Sequence, residues 1–492
     1  MENQQLLDYV KQQLQQGADR ETIKTFLTAQ GEQEQAINEA FQAATPVFVA
    51  FLKKKKWKKI VLIIAGVIIL LVTTVIFLPG VLGLFAKDVP PINDSDILLK
   101  KISVPNSENA YFDLTKLNNN LYEPEGKSEL VVNMAAGKSW DEAVAEEIVT
   151  RNSEFFEYFA EAARKSKFQD PVSADPAKMT PNAVLPSLNS WRRMARLSAI
   201  RAMFLAKQGK DKEAIEEALN SVKIGQKIQE SQVLLIEYVV AILMKGTGLE
   251  AIQRIVTSSK LNGSKLASYA QELNAFYKNE DGLINSFKAE YLFQSWAVDF
   301  LASGNKEALQ EIVGEKESEN PEIAGKVKNS YYFQPNKTKL TFAEYARQNI
   351  KIANQPCGEI KVAEVPRLAP TSPAKLYAEE NAIGKVLHDV IAASPATIST
   401  KKCEEDLLVA ATQAIVAIKA YKNDNGNYPT SLNDLVPRYL SSVPTDFFDG
   451  RPLKYSSVKK IVYSVGQGLQ DLGGSTGSDW HKMPNPTFKI DF

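Results

Sequence analysis

Leu407-Leu-Val-Ala-Ala-Thr-Gln-Ala-Ile-Val-Ala-Ile-Lys-Ala-Tyr421 runs into Lys422-Asn-Asp-Asn-Gly-Asn-Tyr428-Pro429. Leu408, Ala411, Ile415 and Ile418 recur at helical spacing, so a helix is expected from about Glu404 to Tyr421. The Asn/Gly cluster supplies the backbone freedom that a helix end and tight turn require, and Pro429 prevents continuation. Ser431 or Thr430 caps a short helix through Leu432 and Leu435. Strands are expected near Leu453–Tyr455, at Lys460–Ser464 and at Phe488–Ile490, with a glycine-rich loop over 465–479. Residues 401–492 therefore read as a helix followed by short strands.

Upstream, residues 111–355 read as a helical, repeat-like domain, with the helical period nearly continuous from about Lys138 to Gln355 and a loop over Asp170–Pro186. Trp140, Val144, Glu147 and Ile148 open it, and Trp191–Gly209 forms one helix. Asp211 starts the next, with Ala214, Ile215, Ala218, Val222 and Ile224 on its apolar face. Further helices are expected at Leu234–Met244, Gly248–Ile255, Ser264–Tyr277, Leu283–Phe300 and Phe342–Ile352. The Ala206–Ile215 stretch is similar to a tetratricopeptide-type helical hairpin, which implies a groove for a partner. A plain helical bundle is the alternative. Prolines at 356, 366, 370 and 373 mark a linker within 356–400, with a helix over 376–391.

The C-terminal pattern resembles the C-terminal domain of the type II secretion major pseudopilin. The shared residues are Tyr421, Asn425-Gly426-x-Tyr428-Pro429, Pro444-Thr-Asp446-x-x-Asp449-Gly450-x-Pro452-x-x-Tyr455, Tyr463-Ser464-x-Gly466 and Gly477-Ser-Asp479. The resemblance implies a small α+β domain, one helix packed on an antiparallel sheet, whose glycine-rich loop binds one calcium ion. Asp479 matches a ligand position, Gly468 stands where the family has an earlier aspartate, and Asp471 is the substitute. A self-folded Gly/Ser turn with solvated acids is the alternative. A pseudopilin subunit has its apolar helix directly continuous with this domain. Here the only long apolar run lies more than three hundred residues upstream, so the domain reads as borrowed.

That run, Ile60–Leu78, carries no charge and follows Lys53-Lys-Lys-Lys-Trp-Lys-Lys59. It predicts a transmembrane helix over 60–85, after a basic juxtamembrane run at 53–59. Residues 1–44 would be a small cytoplasmic helical module, loosely similar to ubiquitin-associated domains. Residues 86–110 would be an outer spacer. The expected class is thus a single-pass protein of a bacterial inner membrane, with the lipid bilayer and envelope proteins as partners and the C-terminus outside. Both cysteines, Cys357 and Cys403, would be extracytoplasmic; they pair as a disulfide or stand as two thiols.

The composition excludes several functions. Lys+Arg 58 equals Asp+Glu 58, so no global field favours nucleic acid. The only histidines, His388 and His481, are far apart in sequence. Ala136-Gly137-Lys138-Ser139 lacks the first glycine of a phosphate loop, Gly466-Gln-Gly468 lacks the third glycine of a dinucleotide site, and Ser456-x-x-Lys459 stands alone. The expected function is non-enzymatic protein binding beside a type II secretion or pilus-like system. An envelope-acting hydrolase and a transmembrane sensor are the alternatives.

Overall fold

A computed structural model describes residues 3–15, 18–44, 65–68, 70, 81, 83–116, 120–171, 181–277, 281–304, 310, 325–361, 367–372, 375–376, 378–392, 395–477 and 479–492. Contacts divide the chain into Met1–Leu82 and Gly83–Phe492.

The first unit holds three short helices, α1 (Asn3–Gln15), α2 (Arg20–Ala29) and α3 (Glu34–Ala44). Asp19 caps α2 by accepting from the Thr22 amide at 3.0 Å. Leu6, Val10, Ile23, Leu27, Ile37 and Phe41 close a miniature core.

In the second unit, helices α4 (Ser128–Ala135), α5 (Glu142–Arg151), α6 (Ser153–Arg164) and α7 (Pro181–Lys207) lead into α8 (Asp211–Gln229) and α9 (Leu235–Ser258). Then come α10 (Gly263–Leu273), α11 (Gly282–Ala302), α12 (Pro335–Ala353), α13 (Ala382–Ile391) and α14 (Pro395–Asn425). Helices α7, α8 and α9 pack on one another, and α4 and α5 pack on α7. The two helices expected over 234–255 are one. Gly248 does not break α9; it lets α9 approach α8, because a Cβ there would lie 2.6 Å from the Ala218 carbonyl oxygen.

Strands β1 (Lys454–Ser456), β2 (Ile461–Tyr463) and β3 (Thr487–Lys489) form an antiparallel sheet of order β1-β2-β3. Val462 stands opposite both Tyr455 and Phe488. Asp446 locks the entry to this sheet. Its fully buried carboxylate accepts from Ser464 Oγ at 2.8 Å, the Val465 amide at 2.8 Å and the Phe448 amide at 3.1 Å.

Helix α14 is the axis of the second unit. It contacts α9, α10 and α12 as well as β2. Its residues 405–420 are all buried, so the helix read as one-sided is covered all round. One apolar core runs from Phe156 and Trp191 through Ile252 and Ile415 to Val462 and Phe488. A disulfide joins Cys357 to Cys403 on α14, with the Cα atoms 5.8 Å apart.

The single-pass class is corrected. Among the described residues, no helix is long and apolar enough to cross a membrane. A crossing needs about 20 mostly apolar residues, and the described helices of that length carry charge at their centres. Examples are Lys245 and Glu250 in α9, and Lys402, Glu405, Asp406 and Lys419 in α14. Within the transmembrane helix expected over 60–85, only 65–68, 70, 81 and 83–85 are described; the rest, and the basic run 53–59, lie outside the described residues. The described fold is predominantly helical with one small sheet. The inner-membrane location, inner N-terminus and outer C-terminus rested on that span and are corrected with it.

Candidate functional site

Asp471 and Asp479, the residues singled out for calcium, are engaged by the protein's own donors. Asp471 Oδ1 accepts from Tyr463 OH at 3.1 Å and the Gly473 amide at 3.0 Å, and Lys454 Nζ lies 3.8 Å from Oδ2. Asp479 accepts from the His481 amide at 3.2 Å and pairs with Lys482 Nζ at 3.0 Å. The hydrogen bond from Lys482 holds the Asp479 carboxyl below its usual range. Among the described residues, no group of three or more His, Cys, Asp or Glu could hold a metal ion. Both aspartates are thus engaged by the protein's own donors. Of the histidines, His388 is buried between Phe342 and Tyr345, and His481 Nδ1 lies 3.3 Å from Glu404.

A different feature stands out from the helical array. Helices α4, α7 and α9 leave a groove of about 600 Å³ between them. Ala135, Ala195 and Met244 are buried and form its floor. Val132 on α4 and Leu243 on α9 remain 41% and 49% exposed along its walls. These two side chains add accessible apolar surface beside the buried floor.

One rim is cationic. Arg192 and Arg193 lie on one turn of α7 and Arg196 on the next, and all three line the groove. Arg193 is fixed by donating from Nη2 to the Leu121 carbonyl at 2.7 Å. Its Nε lies 3.4 Å from Glu123 Oε1, and Arg196 Nη2 lies 3.8 Å from the same oxygen. One carboxylate is thus shared by two guanidinium groups, and the Nε atoms of both arginines are buried with no hydrogen-bond acceptor. Arg192 is exposed and has no ion-pair partner among the described residues.

Arg254, on α9, lies at the C-terminal end of α4. Its Nη2 donates to the Ala135 carbonyl at 2.7 Å, capping the last carbonyls of α4. Burial lowers its pKa, and Glu250, 3.9 Å away, pulls the other way. Gly137 makes room for this: φ there is +71°, and a Cβ would lie 2.6 Å from Arg254 Cδ. The phosphate-loop-like Ala136-Gly137-Lys138-Ser139 is therefore a helix terminus seated on an arginine.

No groove residue was expected from helical periodicity, which counts Arg192, Arg193 and Arg196 as solvated surface. The available signal was three arginines within five residues, directly after a buried Trp191. Comparison with known protein families, characterised proteins and solved structures finds no match.

Proposed function

We infer that this chain is a non-catalytic protein-binding protein whose groove between α4, α7 and α9 receives a segment of a partner polypeptide. The observation that carries the reading is the exposure of Val132 and Leu243 on facing walls above a buried floor. The walls belong to packed helices, so the groove is preformed and binding would order little of this chain. The pseudopilin-like pattern of 401–492 supports a place beside a secretion or pilus-like assembly, where such domains meet other proteins. The test is selection from a displayed random-peptide library on the full chain and on Leu243→Asp. Peptides enriched on the native chain that fail on the variant support the reading. Enrichment of none, or equal binding to both proteins, contradicts it.

A further inference from the structure

The charge around the groove is unbalanced in a way that selects its occupant. Among the described residues, three arginines, Arg192, Arg193 and Arg196, line the groove against one lining acid, Glu250, and Glu123 pairs with Arg193 and Arg196 from outside the lining. Glu250 is spent on Arg254, and Glu123 is split between Arg193 and Arg196. Arg192 is left without a counter-charge among the described residues. The positive edge runs along one wall only. The opposite wall, on α9, is Leu243, Thr247 and the single acid Glu250, and the floor is apolar.

Chemistry of two kinds is therefore presented side by side at fixed spacing. Guanidinium groups prefer carboxylates, which they can grip with paired N–H donors. The floor between Ala195 and Met244 takes an aliphatic side chain. A neutral partner would leave the arginines uncompensated as it excluded water, and a basic partner would add repulsion. A small anion would leave the apolar floor and walls uncovered.

We propose that the groove selects an acidic polypeptide segment, with carboxylates facing Arg192 and Arg196 and an apolar side chain seated on Ala135, Ala195 and Met244. The inference rests on the reading of this groove as a polypeptide site, and it names the partner's chemistry. Arg193 acts as a positioning residue, because its guanidinium is tied to the Leu121 carbonyl and to Glu123. Arg192 is exposed with no ion-pair partner among the described residues, and Arg196 is held only by a 3.8 Å approach to Glu123.

The experiment uses the full chain and three short capped peptides of equal length: alternating glutamate and leucine, serine and leucine, and lysine and leucine. Affinity is measured by fluorescence anisotropy at low and high salt. The glutamate peptide is expected to bind at least about tenfold more tightly than the serine peptide, the worth of roughly 1.4 kcal/mol, and to lose that margin in high salt. Arg192→Gln with Arg196→Gln should remove the margin and spare the serine peptide's affinity. This variant also shows by its unchanged melting temperature that the fold is intact. Equal affinity for the glutamate and serine peptides overturns the acidic assignment but leaves the groove as a polypeptide site. Binding of no peptide overturns both. Displacement of the glutamate peptide by a short single-stranded DNA at lower concentration than by unlabelled peptide assigns the arginines to nucleic acid and also overturns the proposal.

Discussion

Lys245 on α9 and Glu405 on α14 form an ion pair of 2.8 Å with side chains 0% and 1% exposed. It joins the helical array to the helix that carries the small sheet. The remaining capacity of both groups is used. Lys245 Nζ also donates to Gln226 Oε1 at 2.7 Å, Gln229 Oε1 at 3.0 Å and the Phe276 carbonyl at 2.9 Å, and Gln229 Nε2 donates back to Glu405. Desolvating two charges costs about as much as their attraction returns, so such a pair specifies one packing more than it stabilises it.

Removing Glu405 leaves Lys245 charged and buried without its carboxylate, and removing Lys245 leaves Glu405 with only Lys402 at 3.8 Å and the Gln229 amide. Lys245→Met or Glu405→Leu alone is expected to destabilise the fold by about 3–5 kcal/mol, whereas the double substitution should recover most of that loss. Urea unfolding of the three variants checks this. A double variant as unstable as the sum of the singles would show that the pair itself, and not its imbalance, holds α9 to α14.

The Cys357–Cys403 bond closes a sequence separation of 46 residues and ties the segment before α13 to the N-terminal half of α14. Its loss, by reductant or by Cys357→Ser with Cys403→Ser, should cost about 2–4 kcal/mol, mainly through a freer unfolded chain. Denaturant midpoints with and without reductant read it. No change in the serine variant would place the stabilisation elsewhere.

Burial raises the Glu217 carboxyl from its ordinary 4.5 to about 7, against the pull of Arg201 and Ser198. Between those values the folded chain holds a proton that the unfolded chain has released. Stability therefore falls as pH rises through this window and stays lower above it, by up to about 3 kcal/mol from this group. Glu217→Gln keeps an acceptor for Ser198 Oγ, now 2.8 Å from the carboxylate, and should flatten the decline. Melting temperatures from pH 4.5 to 8 check it; an unaltered slope would mean that Glu217 is ionised throughout.

Alanine is a better helix former than glycine by about 1 kcal/mol, so Gly248→Ala would stabilise an exposed helix. Here the added Cβ would meet the Ala218 carbonyl oxygen at 2.6 Å and Val222 Cγ2 at 2.8 Å. The expected result is destabilisation of about 1–3 kcal/mol as α8 and α9 are forced apart. A higher melting temperature would show that these helices can separate without loss.

Local rules were legible where local chemistry decides. Asp211 begins α8 and the Asn425-Gly426 pair ends α14, because a helix start and a tight turn are set by a few neighbouring residues. The three strands fall within two residues of their expected positions. Tertiary facts were not legible. Gly248 reads as a helix breaker until α8 lies against it. Lys402, Glu405, Asp406 and Lys419 read as the wet side of α14 until α9 and α10 cover them. The groove was hidden for the same reason: Val132, Arg192 and Leu243 come from three helices, and no window of sequence contains them together.

The central claim, an acid-selecting groove, is tested most directly by reversing its charge. Arg192→Glu with Arg196→Glu turns the cationic rim anionic while leaving Ala135, Ala195 and Met244 in place. Titration calorimetry of native and reversed proteins with the glutamate–leucine and lysine–leucine peptides gives four affinities. The account expects the native chain to prefer the acidic peptide and the reversed chain to prefer the basic one. If both proteins rank the two peptides alike, these arginines do not choose the occupant and the claim fails.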